Sequence, residues 1–292
     1  MRVTEVFNFI RERWLIQQRR AAGQPKPWTK NKIFQQYRFT CVYREDDKVT
    51  RWITENWRRP HKDDPDLWFA MTLARFFNLP ATLDVVQYPV PWRPVQVLKR
   101  LEKYERDITF NTAAYYVPTC NPGRRTVFSS AYMVRSDPGR KINYVTDVVL
   151  APLWKARETV RPRKGDKLAQ FFNRLVSYYG MGSFMAAQVI ADTKQVGVLK
   201  KADDWWTWSA SGPGSRRGLN RVLGRPKDAP WREEEWLDQL QLLQIGLAPL
   251  LREAGMPRMC AQDTQGIGCC EFDKYERARL GEGRPKQKYP GT

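Results

Sequence analysis

Residues 167–194, KLAQFFNRLVSYYGMGSFMAAQVIADTK, carry the local pattern that decides the fold. Apolar residues recur at helical spacing on both sides of Gly180-Met181-Gly182, which predicts two helices joined by a tight turn. Glycine suits this turn because it has no Cβ, and bare amides at the start of the second helix can bind a phosphate. The pattern predicts a helix-hairpin-helix that holds a DNA backbone through Gly180, Gly182 and Ser183. An ordinary turn between two helices has the same layout.

The composition favours a polyanionic partner. The 292 residues include 50 Lys and Arg, 31 Asp and Glu and one His, which gives a formal net charge of +19 at pH 7. Twelve Trp, 12 Tyr and 13 Phe accompany these cations, as expected where phosphates are neutralised and bases are stacked. A nucleic acid is therefore the favoured partner, and a merely basic soluble protein is the alternative. Because 42% of the residues are hydrophobic, wholesale disorder is excluded.

Other classes of protein are disfavoured. No apolar run approaches the roughly 18 residues of a membrane span, and the N-terminal residues lack the pattern of a signal peptide, so we expect a cytoplasmic protein without a membrane partner. Five cysteines do not form a secreted disulfide framework. Only Cys260, Cys269 and Cys270 are close in sequence, and their spacing is not that of a zinc or iron–sulfur site. We therefore expect neither a metal nor a cofactor.

Hydrophobic periodicity predicts a mainly α protein. We expect one helical domain over residues 1–292, with a finer division into lobes at 1–160 and 161–292 near a basic connector. The four prolines of segment 80–95 predict a crossover without regular helix. Between 109 and 149 the pattern fits strands and helical turns equally well. The predicted helices cover about 3–20, 29–37, 45–58, 67–77, 94–106, 167–179, 183–194 and 231–252.

A second glycine cluster spans residues 211–218, SGPGSRRG, after an aromatic stretch at Trp205–Trp208. Small residues followed by two arginines are typical of a loop that binds a phosphate. We therefore predict that Gly212, Gly214 and Ser215 contact a DNA backbone or a phosphorylated group. A solvated basic loop is the alternative.

Several catalytic classes lack their residues. The sequence contains no GxxxxGK[ST] phosphate loop and no GxSxG motif, and its one histidine, His61, lies in a polar run. Acid–base chemistry would therefore depend on carboxylates, Tyr, Lys or Cys. Asp192 follows Gly182 by ten residues on the apolar second helix of the hairpin, whereas Asp203 and Asp204 have a more glycosylase-like spacing.

Particular stretches, in order along nearly the whole chain, carry a family resemblance. They are Glu12-Arg13, Gly23, Pro27-Trp28-Thr29, 37–45, Asp47, 49–53, 75–78, Tyr132, the hairpin with Asp192, 212–218, 270–275 and 281–286. Together they resemble the helical family of alpha-glutamyl/putrescinyl thymine pyrophosphorylases and the helical module fused to 5-hydroxymethyl-deoxyuridine DNA kinases. The lack of a phosphate loop fits the stand-alone transferase better than the kinase fusion.

The resemblance implies a role in bacteriophage DNA hypermodification, in the host cytoplasm. The substrate would be double-stranded DNA in which an upstream 5-hydroxymethyl-deoxyuridine DNA kinase has pyrophosphorylated a modified thymine. The enzyme would displace pyrophosphate with an amino acid or a polyamine such as putrescine. The implied fold is helical, related to helix-hairpin-helix DNA glycosylases, and segment 270–277 would fold back over the site although its composition suggests a flexible tail.

This activity assigns roles to residues of the chain. Base flipping would place the target between aromatic rings, for which Trp28, Phe39, Tyr43 and Tyr132 are the candidates. Cations would stabilise the leaving pyrophosphate, with Arg38, Arg44, Arg51, Arg216, Arg217 and Lys274 as candidates. A carboxylate would take the proton of the amine, and the candidates are Asp192, first, with Glu45 and Asp273.

Two other functions fit the same features. A monofunctional DNA glycosylase would release a free base, leave an abasic site and need no amine. A non-enzymatic module that binds modified DNA would use the same arginines and glycine turns for the backbone. Pyrophosphate release that depends on both modified DNA and an amine distinguishes the transferase from both.

Overall fold

The computed structural model describes residues 1–106, 126–129, 140–283, 285 and 288–289. These residues form helices and no β-strand, which confirms the mainly α prediction. The α-helices are α1 (Val3–Ala21), α2 (Lys32–Gln36), α3 (Lys48–Ile53), α4 (Leu67–Phe77), α5 (Pro80–Val86), α6 (Pro94–Arg106), α7 (Lys141–Asn143), α8 (Ala151–Lys155), α9 (Arg157–Val160), α10 (Leu168–Val176), α11 (Ser183–Thr193), α12 (Pro213–Leu223), α13 (Glu233–Glu253), α14 (Ala261–Asp263) and α15 (Phe272–Arg279). Short 3₁₀ helices span Arg44–Asp46 and Gly197–Lys201, and π-helices span Thr54–Arg58, Tyr144–Leu150 and Thr264–Glu271.

The chain divides into two compact units. Unit 1 combines Met1–Asp47 with Trp206–Thr292, and unit 2 is the intervening Lys48–Trp205. Unit 1 is discontinuous because α1 packs against α13 and the π-helix Thr264–Glu271. The sequence pattern placed its division near residue 160 instead, at a basic connector that lies within unit 2.

The core of unit 1 joins its two chain segments. One face of α1 buries Val6, Phe9 and Ile10, and α13 buries a leucine stripe at the predicted helical spacing. The ring of Phe9 lies 5.7 Å from the ring of Phe272, which is 1% exposed. The segment that composition alone made a flexible tail is therefore part of a hydrophobic core.

In unit 2 the core is built around α4. Every residue of this eleven-residue helix is buried, as its apolar sequence predicts, and α4 packs against α11. The ring of Trp68 lies 6.1 Å from that of Phe171 on α10. The pair α10–α11 is thus fixed to the centre of the unit. None of the described helices is long and apolar enough to cross a membrane.

The structure corrects three local predictions. Residues 80–86 form α5, since Pro80 occupies the first turn, where its missing N–H has no helical partner to lose. The helix predicted over about 29–37 begins at Lys32, because Asn31 is its N-cap and Asn31 Oδ1 accepts the amide of Ile33 at 3.0 Å. The expected phosphate loop at 211–218 is mostly helix, since α12 begins at Pro213. Most of 109–149 lies outside the described residues.

A close backbone contact sets the position of α12. A Cβ added to Gly218 would lie 2.1 Å from the carbonyl oxygen of Cys269, so only glycine permits this approach. The contact joins α12 to the π-helix Thr264–Glu271, whose Gly266 has open space around it.

We expect Gly218→Ala to lower the free energy of unfolding by about 1–3 kcal/mol, because two backbones must move apart. Thermal or urea denaturation measures this loss. The matched control is Gly266→Ala, which adds the same methyl group where nothing lies within 4 Å. Equal stability of the two variants would contradict the close contact.

Candidate functional site

Two of the stretches that the sequence singled out meet in unit 1. The amide of Thr40 donates to Glu271 Oε2 at 3.0 Å, and Lys274 Nζ donates to the carbonyl of Arg38 at 2.6 Å. Lys274 Nζ also lies 3.1 Å from Glu271 Oε2 and 4.8 Å from the ring centroid of Phe39. Residues 38–40 are therefore held directly on the helical segment that contains Glu271 and Lys274.

The first turn of α12, which contains the glycine cluster, contacts the segment 270–274. Ser215 Oγ accepts the amide of Gly212 at 2.9 Å, which caps the helix from its third residue. A Cβ on Gly214 would lie 3.4 Å from Cys270 Sγ, so the first turn of α12 is in close contact with Cys270. Residues 38–40, 212–217 and 270–274 thus form one cluster, which we call the convergence site.

Asp273 is the electrostatic centre of the convergence site. Its carboxylate is 1% exposed and lies 2.9 Å from Arg221 Nε, 3.2 Å from Arg217 Nε and 3.4 Å from Arg277 Nε. Arg221 also pairs with Glu282, so three guanidinium groups and two carboxylates leave a net positive charge. Since Arg217 is 33% exposed, this positive charge reaches solvent.

Cys270 is a protonated thiol in this environment. Burial, reinforced by the negative charge of Glu271, raises the pKa of Cys270 to about 12, and a hydrogen bond with Ser215 opposes this rise only in part. Thiols react as thiolates, so Cys270 is a poor nucleophile at neutral pH.

The other predicted residues of unit 1 are placed as follows. Arg216 pairs with Glu233 at 2.8 Å on the surface of α12. Trp28 is half-buried, and its Nε1 donates to the carbonyl of Gln24. Tyr43 donates to the carbonyl of Pro257 at 2.7 Å, and burial together with the charge of Asp263 raises its pKa.

Two further candidates lie in this unit: Phe39, predicted to stack on a base, and Glu45, predicted to take a proton. Phe39 is buried among Phe9, Phe34 and Tyr275, so its ring serves the core in this structure and is not presented to a base. Glu45 lies in the 3₁₀ helix next to Arg44, and both side chains are half-buried. The amide of Arg44 donates to Asp263 Oδ1 at 3.1 Å.

Asp192, the first candidate base, lies in unit 2 and is fully buried. Arg75 donates two hydrogen bonds to its carboxylate, from Nε to Oδ2 at 2.5 Å and from Nη2 to Oδ1 at 2.6 Å. Arg58 Nη1 lies 4.0 Å away, and Arg75 also donates to Thr50 and Asn78. A carboxylate held in this way is suited to fixing α11 on α4. It is poorly suited to taking a proton from a diffusing amine, which must reach the base.

The hairpin turn of unit 2 has the predicted dependence on glycine at Gly180. Its φ is +82°, and a Cβ there would lie 2.5 Å from Cγ2 of Val149. Gly182 caps α11, and a Cβ at Gly182 would meet nothing within 4 Å; Ser183 begins the helix, and both residues are exposed. Binding of a DNA backbone by this turn stays a prediction. Arg51 is exposed on α3 of the same unit, and Tyr132 lies outside the described residues.

Sequence reasoning missed two arginines that hold the buried carboxylates of Asp192 and Asp273. Arg75 stands in the otherwise apolar run Leu67–Phe77, and a charge at such a position indicates a buried partner. Arg221 lies one turn after Arg217 on α12, a spacing that places both on one helix face. Within the described part of the chain, no group of three or more His, Cys, Asp or Glu is placed to hold a metal ion.

The comparison with known families identifies the class of this chain. Residues 2–284 match the family described as 5-hmdU DNA kinase, helical domain, so the chain belongs to that family. The membership links it to enzymatic DNA modification and to the thymine hypermodification pathway. No curated protein and no solved structure matches the chain.

We expect Asp192→Asn to lower the free energy of unfolding by about 3–5 kcal/mol, since it leaves the Arg75 charge buried without its partner. Thermal denaturation followed by circular dichroism measures the loss. Asp203→Asn, at an exposed site in the same unit, is the matched control. A folded Asp192→Asn protein of unchanged stability would contradict the structural role and restore the candidate base.

We expect Cys270 to resist alkylation by iodoacetamide at pH 8, because its pKa of about 12 leaves almost no thiolate. Peptide mass spectrometry after a timed exposure measures the modified fraction, and the same reaction in urea supplies the unfolded control. The rate should rise with pH up to the stability limit of the fold. Fast native labelling at pH 8 would show that the thiol is not held as described.

Proposed function

We propose that this protein is a DNA-base-modifying transferase. It displaces pyrophosphate from 5-pyrophosphoryloxymethyl-deoxyuridine in double-stranded DNA with an amine, either an amino acid or a polyamine. Family membership supports the pathway. An upstream 5-hydroxymethyl-deoxyuridine DNA kinase would supply the substrate.

The observation that carries the proposal is the convergence site. It gathers the cations Arg217 and Lys274 and the first turn of α12 within one small region of unit 1. The positive end of a helix, next to guanidinium groups with a net positive charge, suits an anion whose charge grows during the reaction. A pyrophosphate leaving group is such an anion, since it departs with the electron pair of the broken C–O bond.

The chemistry balances without a cofactor. The amine nitrogen forms a bond to the methylene carbon on C5 of the base, the bond from that carbon to the pyrophosphate oxygen breaks, and the amine gives up one proton. Among the three candidate carboxylates, Glu45 has the greatest access to solvent, because Asp192 and Asp273 are 0% and 1% exposed. We therefore assign proton removal to Glu45 and assign Asp273 the positioning of Arg217.

We expect transfer activity in a direct assay. DNA that contains 5-hydroxymethyluracil is incubated with a partner kinase, ATP, this protein and a mixture of amino acids and polyamines. Nucleoside mass spectrometry should then show a new nucleoside that carries one amine, with release of pyrophosphate. Unchanged phosphorylated nucleoside with every amine offered would overturn the proposal, and free base with abasic sites would establish the glycosylase instead.

Two variants test the assigned roles. Arg217→Ala should lower the rate of pyrophosphate release by about 100-fold, since it removes a donor that acts on the developing charge. Its control is Arg252→Ala, at an exposed site on α13. Glu45→Gln should lower the rate of amine transfer, because it removes the group assigned to take the proton, whereas Glu55→Gln, at an exposed site, should keep the wild-type rate. Wild-type rates in Arg217→Ala would contradict the placement of the leaving group.

A further inference from the structure

Two exposed aromatic rings flank the hairpin turn of unit 2. Tyr179 is 68% exposed and Phe184 is 54% exposed, one on each side of the turn. Within the part of the chain that the structure describes, Trp206 is the one other large aromatic residue in the exposed class. Val148 is 39% exposed and directly precedes Val149, the residue that the turn packs on. We call Val148, Tyr179, Gly182, Ser183 and Phe184 the hairpin surface.

These rings stand on a rigid base. The Cβ position of Gly180 lies 2.5 Å from a methyl group of Val149, and both Met181 and Val149 are 1% exposed. The amide of Met181 donates to the carbonyl of Tyr178 at 3.0 Å, which closes the turn. Because α10 and α11 pack together on either side, the turn cannot withdraw the rings into the core.

A basic segment lies beside the hairpin. Thr159 Oγ1 lies 3.4 Å from the hydroxyl of Tyr178, and Arg174 on α10 donates to the carbonyls of Val160 and Arg161 at 3.2 Å. This segment, residues 155–167, presents four exposed cations, Lys155, Arg163, Lys164 and Lys167. Exposed apolar rings next to cations are the chemistry of a nucleic-acid surface, because cations neutralise phosphates and rings stack on the faces of bases.

We infer that the hairpin surface binds duplex DNA and that Tyr179 and Phe184 insert between base pairs as a wedge. Phosphate binding by Gly182 and Ser183 alone would leave both rings largely in solvent, whereas an opened base step buries them. The inference rests on the proposed function, since chemistry on a base within a duplex requires that base to leave the stack. The wedge fills the gap and so lowers the cost of opening the stack, as apolar wedges do in proteins that kink DNA.

The test is fluorescence of 2-aminopurine placed beside the modified thymine in a duplex. Its emission rises when stacking is lost, so the wild-type protein should raise it at saturating concentration. The double variant Tyr179→Ala, Phe184→Ala should lose most of that rise and bind the duplex about tenfold more weakly. Tyr179→Trp, Phe184→Trp keeps two rings and should keep the signal.

Two controls separate a wedge from general damage. Val95→Ala, at a residue of unit 2 that is 63% exposed and lies outside the hairpin surface, should behave as wild type. The double variant should also keep a cooperative thermal unfolding transition, which shows that loss of the emission rise does not come from an unfolded protein.

The outcomes distinguish this inference from the proposed function. Wild-type emission and affinity in the double variant, with normal amine transfer, would overturn the wedge and leave the transferase standing. A wild-type emission rise that the double variant loses, without any amine product, would support the wedge and overturn the transferase. Unchanged DNA binding with lost association to the partner kinase would overturn the wedge and make the hairpin surface a protein interface.

Discussion

The contact of Gly218 with the carbonyl of Cys269 is the constraint on which the convergence site depends. It brings the axis of α12 so close to the π-helix Thr264–Glu271 that no side chain fits between the two backbones. Because the two backbones are this close, Gly214 also contacts Cys270, and Arg217 and Arg221 form ion pairs with Asp273. Backbone geometry therefore holds the two arginines next to Asp273, and under the proposed function their charge is preorganised for the leaving group.

Both units contain a buried aspartate that is paired with arginines, but the arginines differ in their exposure to solvent. Each buries an almost fully inaccessible aspartate, Asp192 in unit 2 and Asp273 in unit 1, and each compensates it with arginine. Around Asp192 the arginines Arg58 and Arg75 are themselves buried, so this cluster stabilises the packing of helices. Around Asp273 one arginine, Arg217, extends to solvent, and the proposed function uses this exposed group to bind the leaving pyrophosphate. Both aspartates are buried, so the two clusters differ mainly in whether the arginines around the aspartate are also buried.

The sequence predicted the helices well where apolar residues recur at helical spacing over several turns. The bounds of α4 and α6 agree with their periodic patterns, because burial of a continuous stripe leaves no other arrangement. It failed at Pro80 and at 211–218, where proline and glycine read as breaks although each also suits a helix start. For the site, the sequence indicated which cations could bind a phosphate, but it did not indicate which residues they pair with. Whether Asp192 meets solvent or Arg75 depends on contacts across more than 100 residues, which no local pattern encodes.

The discontinuity of unit 1 has a consequence for how the protein is made. Unit 2 is synthesised without interruption, so its helices can pack as soon as Trp205 leaves the ribosome. Helix α1 instead waits for α13, and the roughly 210 intervening residues take about 10–40 s to translate. During that interval the apolar face of α1, with Val6, Phe9 and Ile10, has none of its α13 partners. Nascent chains therefore expose the hydrophobic face of α1 during that interval, and the yield of folded protein should depend on chaperones that bind such faces.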